Sequence, residues 1–157
     1  MGTELTIGRG GPSMRISNVL QVKGAAVATV PSSAPVSEVV HRLAHHGVGA
    51  LVVSDDGAAI AGIVSERDVV RRLHELGSAV LERPVAEIMT VDVRTCGLGD
   101  LVEDLMVTMT EHRVRHVPVL DDGRIVGIVS IGDVVKVRLG ELETERSTLL
   151  EYLHSGR

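Results

Sequence analysis

Gly62-Ile63-Val64-Ser65-Glu66-Arg67-Asp68-Val69-Val70 reappears 65 residues later as Gly127-Ile128-Val129-Ser130-Ile131-Gly132-Asp133-Val134-Val135. The match extends upstream at an offset of 66: Val27-Ala28-Thr29 stands against Val93-Arg94-Thr95, and Val36, Val39 and Leu43 against Val102, Leu105 and Met109. The slip from 66 to 65 falls at Ala58-Ala59, where the first copy carries one extra residue between Asp56-Gly57 and Ile60. Loops tolerate such insertions. A whole folding unit of about 60 residues has been duplicated, and units of that size bury too little core to stand alone. The copies are therefore expected to pack on each other, and function is expected at the surface between them.

Within the first copy, residues 25–30 read as a short strand and 31–35 as a turn. Residues 36–46 read as a helix with Val36, Val39, Val40 and Leu43 on one face, closed by Gly47. Residues 50–53 and 60–64 read as a hairpin around Asp55-Asp56-Gly57, and Ser65 opens a second helix through Leu76. The second copy repeats the order, with strands at 91–95, 116–120 and 125–129, a helix at 101–112, a turn at Asp121-Asp122-Gly123 and a helix from Ile131. Each copy is β-α-β-β-α, giving an α/β (α+β) fold of two repeats about a pseudo-twofold axis, followed by a C-terminal helix. The expected boundaries are a flexible, Gly-rich lead over 1–13, repeats at 14–78 and 79–139, and the C-terminal helix and tail over 140–157.

Composition limits what this chain can do. With 157 residues, 44% of them hydrophobic and 24% charged, it reads as a soluble globular protein. Phe and Trp are absent and Tyr152 is the one aromatic residue, so single-stranded nucleic acid finds no stacking platform. A net charge of -5 also argues against a general phosphate-backbone binder, so nucleic acid is not expected as a partner. The lone Cys96 cannot form an internal disulfide, and no apolar run reaches the ~20 residues that span a bilayer; a cytoplasmic protein without a membrane partner is expected. Residues 1–6 fit the myristoylation pattern, a short match with many free positions.

Leu142, Leu149, Leu150 and Leu153 lie among Glu141, Glu143, Glu145, Arg146 and Glu151. One apolar stripe on a charged helix packs on its own domain or on a second subunit. A homodimer contact is the favoured reading, because each repeat already has its own helices.

Two β-α-β-β-α units, each carrying Gly-hydrophobic-Val-Ser-x-x-Asp, resemble a tandem CBS pair, the Bateman module, of the small stand-alone bacterial type. The resemblance covers about residues 16–139. Arg113-Val114-Arg115-His116-Val117-Pro118-Val119 and Val48-Gly49-Ala50-Leu51-Val52-Val53 support it. It implies a regulatory module that holds an adenine nucleotide (AMP, ADP or ATP) or a related adenosyl ligand such as NAD or S-adenosylmethionine between the copies, and signals to an effector protein. Carried over by the resemblance, Ser65 and Asp68, and Ser130 and Asp133, meet phosphate and ribose, while Thr29 and Thr95 meet adenine.

The residues themselves allow a plainer account. Ser-x-x-Asp before a helix is a capping-box variant, the hydroxyl taking a free N-H and the acid sitting at the positive helix end. Exposed N-H groups at the same end suit phosphate, and the carboxylate can accept two hydrogen bonds from a ribose diol. The two roles can coexist.

The copies differ where Arg113, Arg115 and His116 stand against Gly47, Gly49 and Ala50. Charge-assisted contacts to phosphate are worth ~1.5 to 3 kcal/mol each, so the two clefts should differ in affinity. The phosphate-bearing cleft is expected around Arg115, His116, Ser130 and Asp133, with Pro118 in its strand. Strand alternation is expected to keep the three basic groups from sharing one pocket. Arg67 either reaches phosphate across the pseudo-twofold or is solvated. His41 and His45 share a helix face but lack a third ligand, and Cys96 reads as a small filler rather than a redox sensor.

No nucleophile elbow, P-loop or Ser-His-Asp arrangement is present in the sequence, so neither catalysis nor a catalytic cofactor is expected. The main alternative to a sensor is a constitutive scaffold whose clefts stay empty.

Overall fold

The computed structural model describes residues 14–156; the expected flexible lead and the myristoylation pattern lie outside them. Each copy builds one three-stranded mixed sheet. The first contains β1 (Thr29–Val30), β2 (Ala50–Val53) and β3 (Gly62–Ser65), in that order, with β1 parallel and β3 antiparallel to β2. The second contains β4 (Cys96–Gly97), β5 (His116–Asp121) and β6 (Arg124–Ser130), arranged the same way.

The helices follow the apolar period. In α2 (Val36–His46), Val36, Val39 and Leu43 are buried, and Gly47 ends the helix at φ 62. In α4 (Val102–His112), Val102, Leu105 and Met109 take the same places. After β3 comes α3 (Glu66–Leu76), and after β6 comes α5 (Ile131–Ser155). The segment 140–155 is helical as expected, and it continues α5 without a break.

The first strands sit later than their apolar runs suggest. Residues 25–28 stay outside the ladder, and the strand read at 91–95 is replaced by β4 at Cys96–Gly97. In the first copy the Val52 N-H reaches the Ala28 carbonyl at 3.3 Å. The corresponding residue in the second copy is Pro118, which has no N-H to offer Arg94, so pairing starts one step later.

Two segments read neither as strand nor as helix in the sequence complete the cores. They are α1 (Ile16–Lys23) and a pair of 3-10 turns over Gly77–Glu82 and Val85–Glu87. Each packs on the copy it does not directly belong to in the repeat register. Ile16, Val19 and Leu20 of α1, ahead of the first repeat's strands, join the second core with Val102, Leu105, Met109, Val117 and Val129. Val80, Val85 and Ile88, ahead of the second repeat's strands, join the first core with Val30, Val36, Val53 and Val64. The packing units thus cross the repeat boundaries drawn at 78 and 79.

Hydrogen bonds repeat the exchange. Val36 N donates to Arg83 O and Val85 N to Ala34 O; Val102 N donates to Met14 O and Ile16 N to Asp100 O, all between 2.8 and 2.9 Å.

The repeated glycine now has a reason. A Cβ on Gly62 would stand 2.7 Å from Met89 Sδ and 2.8 Å from the Thr90 carbonyl, and one on Gly127 would stand 2.7 Å from the Leu20 methyls. The motif's glycine admits the crossing segment; it is a packing requirement of the exchange.

Candidate functional site

The helices α3 and α5 start at a serine in extended conformation, Ser65 and Ser130. Ser65 N donates to Asp68 Oδ2 at 2.9 Å while Asp68 N donates to Ser65 Oγ at 3.3 Å; at Ser130 and Asp133 the distances are 2.8 and 3.2 Å. Both motifs are capping boxes. Both also line a cleft.

The first cleft, about 280 Å³, places Ser65, Arg67 and Asp68 opposite residues 92–94 and 113–116 of the second copy. The second, about 530 Å³, places Ser130 and Asp133 opposite residues 26–28 and 46–50 of the first copy, with Lys23 at the end of α1. Each cleft takes its motif from one copy and its walls from the other, because the strands β2 and β5 start face to face across the pseudo-twofold. Gly49, Ala50 and His116 line both clefts.

This corrects the expected grouping. Arg115 and Arg113 lie in the first cleft with Ser65 and Asp68, away from Ser130 and Asp133; of these three basic residues His116 alone lines both clefts. Arg113, Arg115 and His116 do share one wall, against the alternation argument. The reason is that β5 begins at His116, so residues 113–115 belong to the turn after α4 and obey no strand period.

Arg113 ends α4 in the left-handed region at φ 54, where the first copy has Gly47. That conformation costs a non-glycine residue ~1–2 kcal/mol, and strain held at a cleft wall points to a role there.

Charge separates the clefts. Arg67, Arg94, Arg113 and Arg115 face Glu66, Asp68 and Asp92 in the first, a net +1 with His116 neutral. In the second, Lys23 Nζ donates to Asp133 Oδ2 at 2.5 Å and to the Ile128 carbonyl at 2.7 Å. Burial raises the Asp133 carboxyl, but hydrogen bonds from Lys23 and Ser130 bring it below its usual value. Asp68 forms no ion pair among the described residues; its carboxylate takes hydrogen bonds from Ser65 alone, at Oδ2. Burial, with Lys23 and Arg115 nearby, lowers the His116 pKa against the pull of Asp133 and Glu66.

Three expected residues stand back from the walls. Thr29 and Thr95 lie one step past the lining segments 26–28 and 92–94, and the Thr29 carbonyl accepts the Arg42 guanidinium. Pro118 is buried in β5. Sequence reasoning missed Lys23, Glu66, Asp92 and Arg94. The spacing Ile16, Val19, Leu20 before Gly24 was the available signal for α1, and with it for Lys23.

His41 and His45 stack at 6.0 Å, and among the described residues no three His, Cys, Asp or Glu side chains gather around a common point. Burial, with Asp100 nearby, pushes the Cys96 thiol up to about 12, so it is a poor nucleophile, in keeping with the filler reading. No helix among the described residues is long and apolar enough to cross a membrane.

A family model described as CBS domain matches residues 22–75 and 85–140, one match per copy and each ending just past a Ser-x-x-Asp helix start. The chain belongs to the CBS domain family. Its CBS pair is similar to the CBS-domain containing protein ATU1752 from Agrobacterium tumefaciens, at 41% identity and a TM-score of 0.77 over 80% of this chain and 99% of that one. It is also similar to the CBS domain protein PAE2072 from Pyrobaculum aerophilum, solved with AMP, at 29% identity and TM-score 0.68, over 76% of this chain and 89% of that one. A third likeness is to the CBS pair of MJ0100 with 5-methylthioadenosine and S-adenosyl-L-methionine, at 25% identity and TM-score 0.74, over 83% and 99%. The chain is a small CBS pair, and two of these three neighbours were solved with adenosyl ligands.

Proposed function

We propose that this CBS pair is a non-catalytic, cytoplasmic sensor that binds a phosphorylated adenosine, AMP, ADP or ATP, in the first cleft and passes the change in its two halves to an effector protein. The observation that carries this reading is the pairing of Arg67, Arg94, Arg113 and Arg115 with a motif whose Asp68 is not held by a lysine. The N-H groups at the start of α3 and the arginines suit phosphate, and Asp68 suits a ribose diol. The cleft volume lies near the lower end of the ~300–1,000 Å³ usual for ligand pockets. The solved relative that carries AMP supports the same ligand class. The second cleft, with its ion-paired Asp133 and its walls of Ala26, Val27 and Ala28, suits a less charged adenosyl group such as that of S-adenosylmethionine.

Thermal unfolding against AMP, ADP, ATP, NAD and S-adenosylmethionine tests this. A ligand at 100 times its dissociation constant adds ~2.7 kcal/mol of stability. Arg113→Ala with Arg115→Ala is expected to weaken the phosphorylated ligand by about tenfold or more, roughly 1.4 kcal/mol, while leaving the unliganded midpoint close to that of the wild type. Equal affinity in that double variant would overturn the assignment of the first cleft. No shift with any ligand at millimolar concentration would replace the sensor by the scaffold.

A further inference from the structure

The two segments that cross between the cores correspond at a spacing of 69 residues. Met14 and Arg83 offer the carbonyls that Val102 N and Val36 N reach, Ile16 and Val85 donate the return bonds, and Leu20 and Met89 fill the space that Gly127 and Gly62 leave. The same spacing sets Lys23 against Asp92, and each lines the cleft of one motif. A cation at this place can pair with the motif carboxylate, and an acid cannot. Lys23 Nζ holds Asp133 Oδ2 at 2.5 Å and the Ile128 carbonyl at 2.7 Å. In the first copy the equivalent carbonyl, that of Ile63, accepts the Thr90 N-H at 2.9 Å, and the second donor on Asp68 Oδ2 is the Ser65 hydroxyl at 3.0 Å. A hydroxyl frees that oxygen by turning about one bond, whereas the lysine must leave the cleft, and its bond to the carboxylate is charge-assisted and about twice as strong.

We propose, resting on the reading of the second cleft as an adenosyl site, that Lys23 is an internal competitor there: its ammonium occupies the carboxylate that a ribose diol needs, and a ribose-bearing ligand enters by displacing it. A diol that engages both oxygens of Asp133 requires Oδ2 as well as Oδ1, and Oδ2 already accepts from Lys23 and from Ser130 N. Displacement is open to the lysine. It is an exposed residue in the last turn of α1, next to Gly24, so its head can turn to water while Ile16, Val19 and Leu20 keep the helix in the second core. The exchange still costs an ion pair and leaves the Ile128 carbonyl without its ammonium, so the second cleft holds a ribose less tightly than its walls alone would allow. A ligand without the diol leaves Lys23 in place and is indifferent to it. Lys23 thereby sets how strongly the second cleft answers to a ribose, and Asp92, at the equivalent place, imposes no such competition on Asp68.

Titration calorimetry with adenosine and 2′-deoxyadenosine on the full chain tests it, in an Asp68→Ala background that removes the first cleft's diol acceptor. Lys23→Met keeps the apolar stem and removes the ammonium. It is expected to bind adenosine about tenfold more tightly than the protein that retains Lys23, and 2′-deoxyadenosine equally. Lys23→Gln, which keeps a donor for the Ile128 carbonyl, is expected to give the same gain and covers the case in which Lys23→Met fails to fold. Equal adenosine affinity with and without the ammonium, or a gain that 2′-deoxyadenosine shares, overturns the competition while the cleft remains an adenosyl site. Binding of neither nucleoside to any of the proteins overturns the adenosyl reading of the second cleft, and the competition with it.

Discussion

His116 stands where the two clefts meet, against Gly49, whose absent Cβ would lie 3.1 Å from the imidazole Cε1. Burial, Lys23 and Arg115 favour its neutral form, while Asp133 and Glu66 oppose them. Its folded pKa therefore lies below the unfolded value of ~6.5, and as pH falls through that value the unfolded chain takes up the proton first. Stability from this group is complete above ~6.5 and is lost toward the folded pKa. Unfolding free energy is expected to drop between about pH 7.5 and about pH 5.5, and to drop less in His116→Gln; equal drops in both proteins would dismiss His116 as the cause. Asp133 has its carboxyl lowered in the fold, so its contribution is lost only below the unfolded value near 3.9 and leaves this window clear. A phosphate bound beside His116 favours the imidazolium, so nucleotide binding in the first cleft is expected to tighten as pH falls through the same window.

At the scale of elements, one residue decides where a strand starts. Pro118 removes a ladder bond that Val52 makes in the first copy, and β4 starts at Cys96 in consequence. Pro118→Val restores the donor. Its new amide is expected to be protected from hydrogen exchange, with the ladder extended to Thr95; rapid exchange at 118 would show that something other than proline holds back the strand. The helices were more legible than the first strands. The spacing of Val36, Val39 and Leu43 marks a helix of 11 residues without ambiguity, whereas strands of two residues carry no period at all. Ser65 and Ser130 were legible as caps, whereas the walls that stand opposite them were not.

Across the whole molecule, each copy lends a segment to the other's core. Ile16 is fully buried in the second core, and Val85 in the first. Ile16→Ala removes a buried side chain at a cost of ~2–5 kcal/mol. Because the segment that carries it precedes the first repeat's strands yet packs in the second core, the loss is expected to lower one shared unfolding transition for both halves. Calorimetry that resolves two transitions, with only the second moved, would show that the halves melt independently.

The sequence by itself determined the duplication, the β-α-β-β-α order, the helices α2 to α5 and the four motif residues Ser65, Asp68, Ser130 and Asp133, because periodicity and repeats are local properties of a chain. Only the tertiary structure decided which basic residues face which motif. Arg113 and Arg115 belong to Asp68, and Lys23 to Asp133, since the copies meet across a pseudo-twofold that sets each motif against the other copy's turn. Distances across that axis depend on how α1 and residues 80–88 cross between the cores, and no spacing along the chain encodes them.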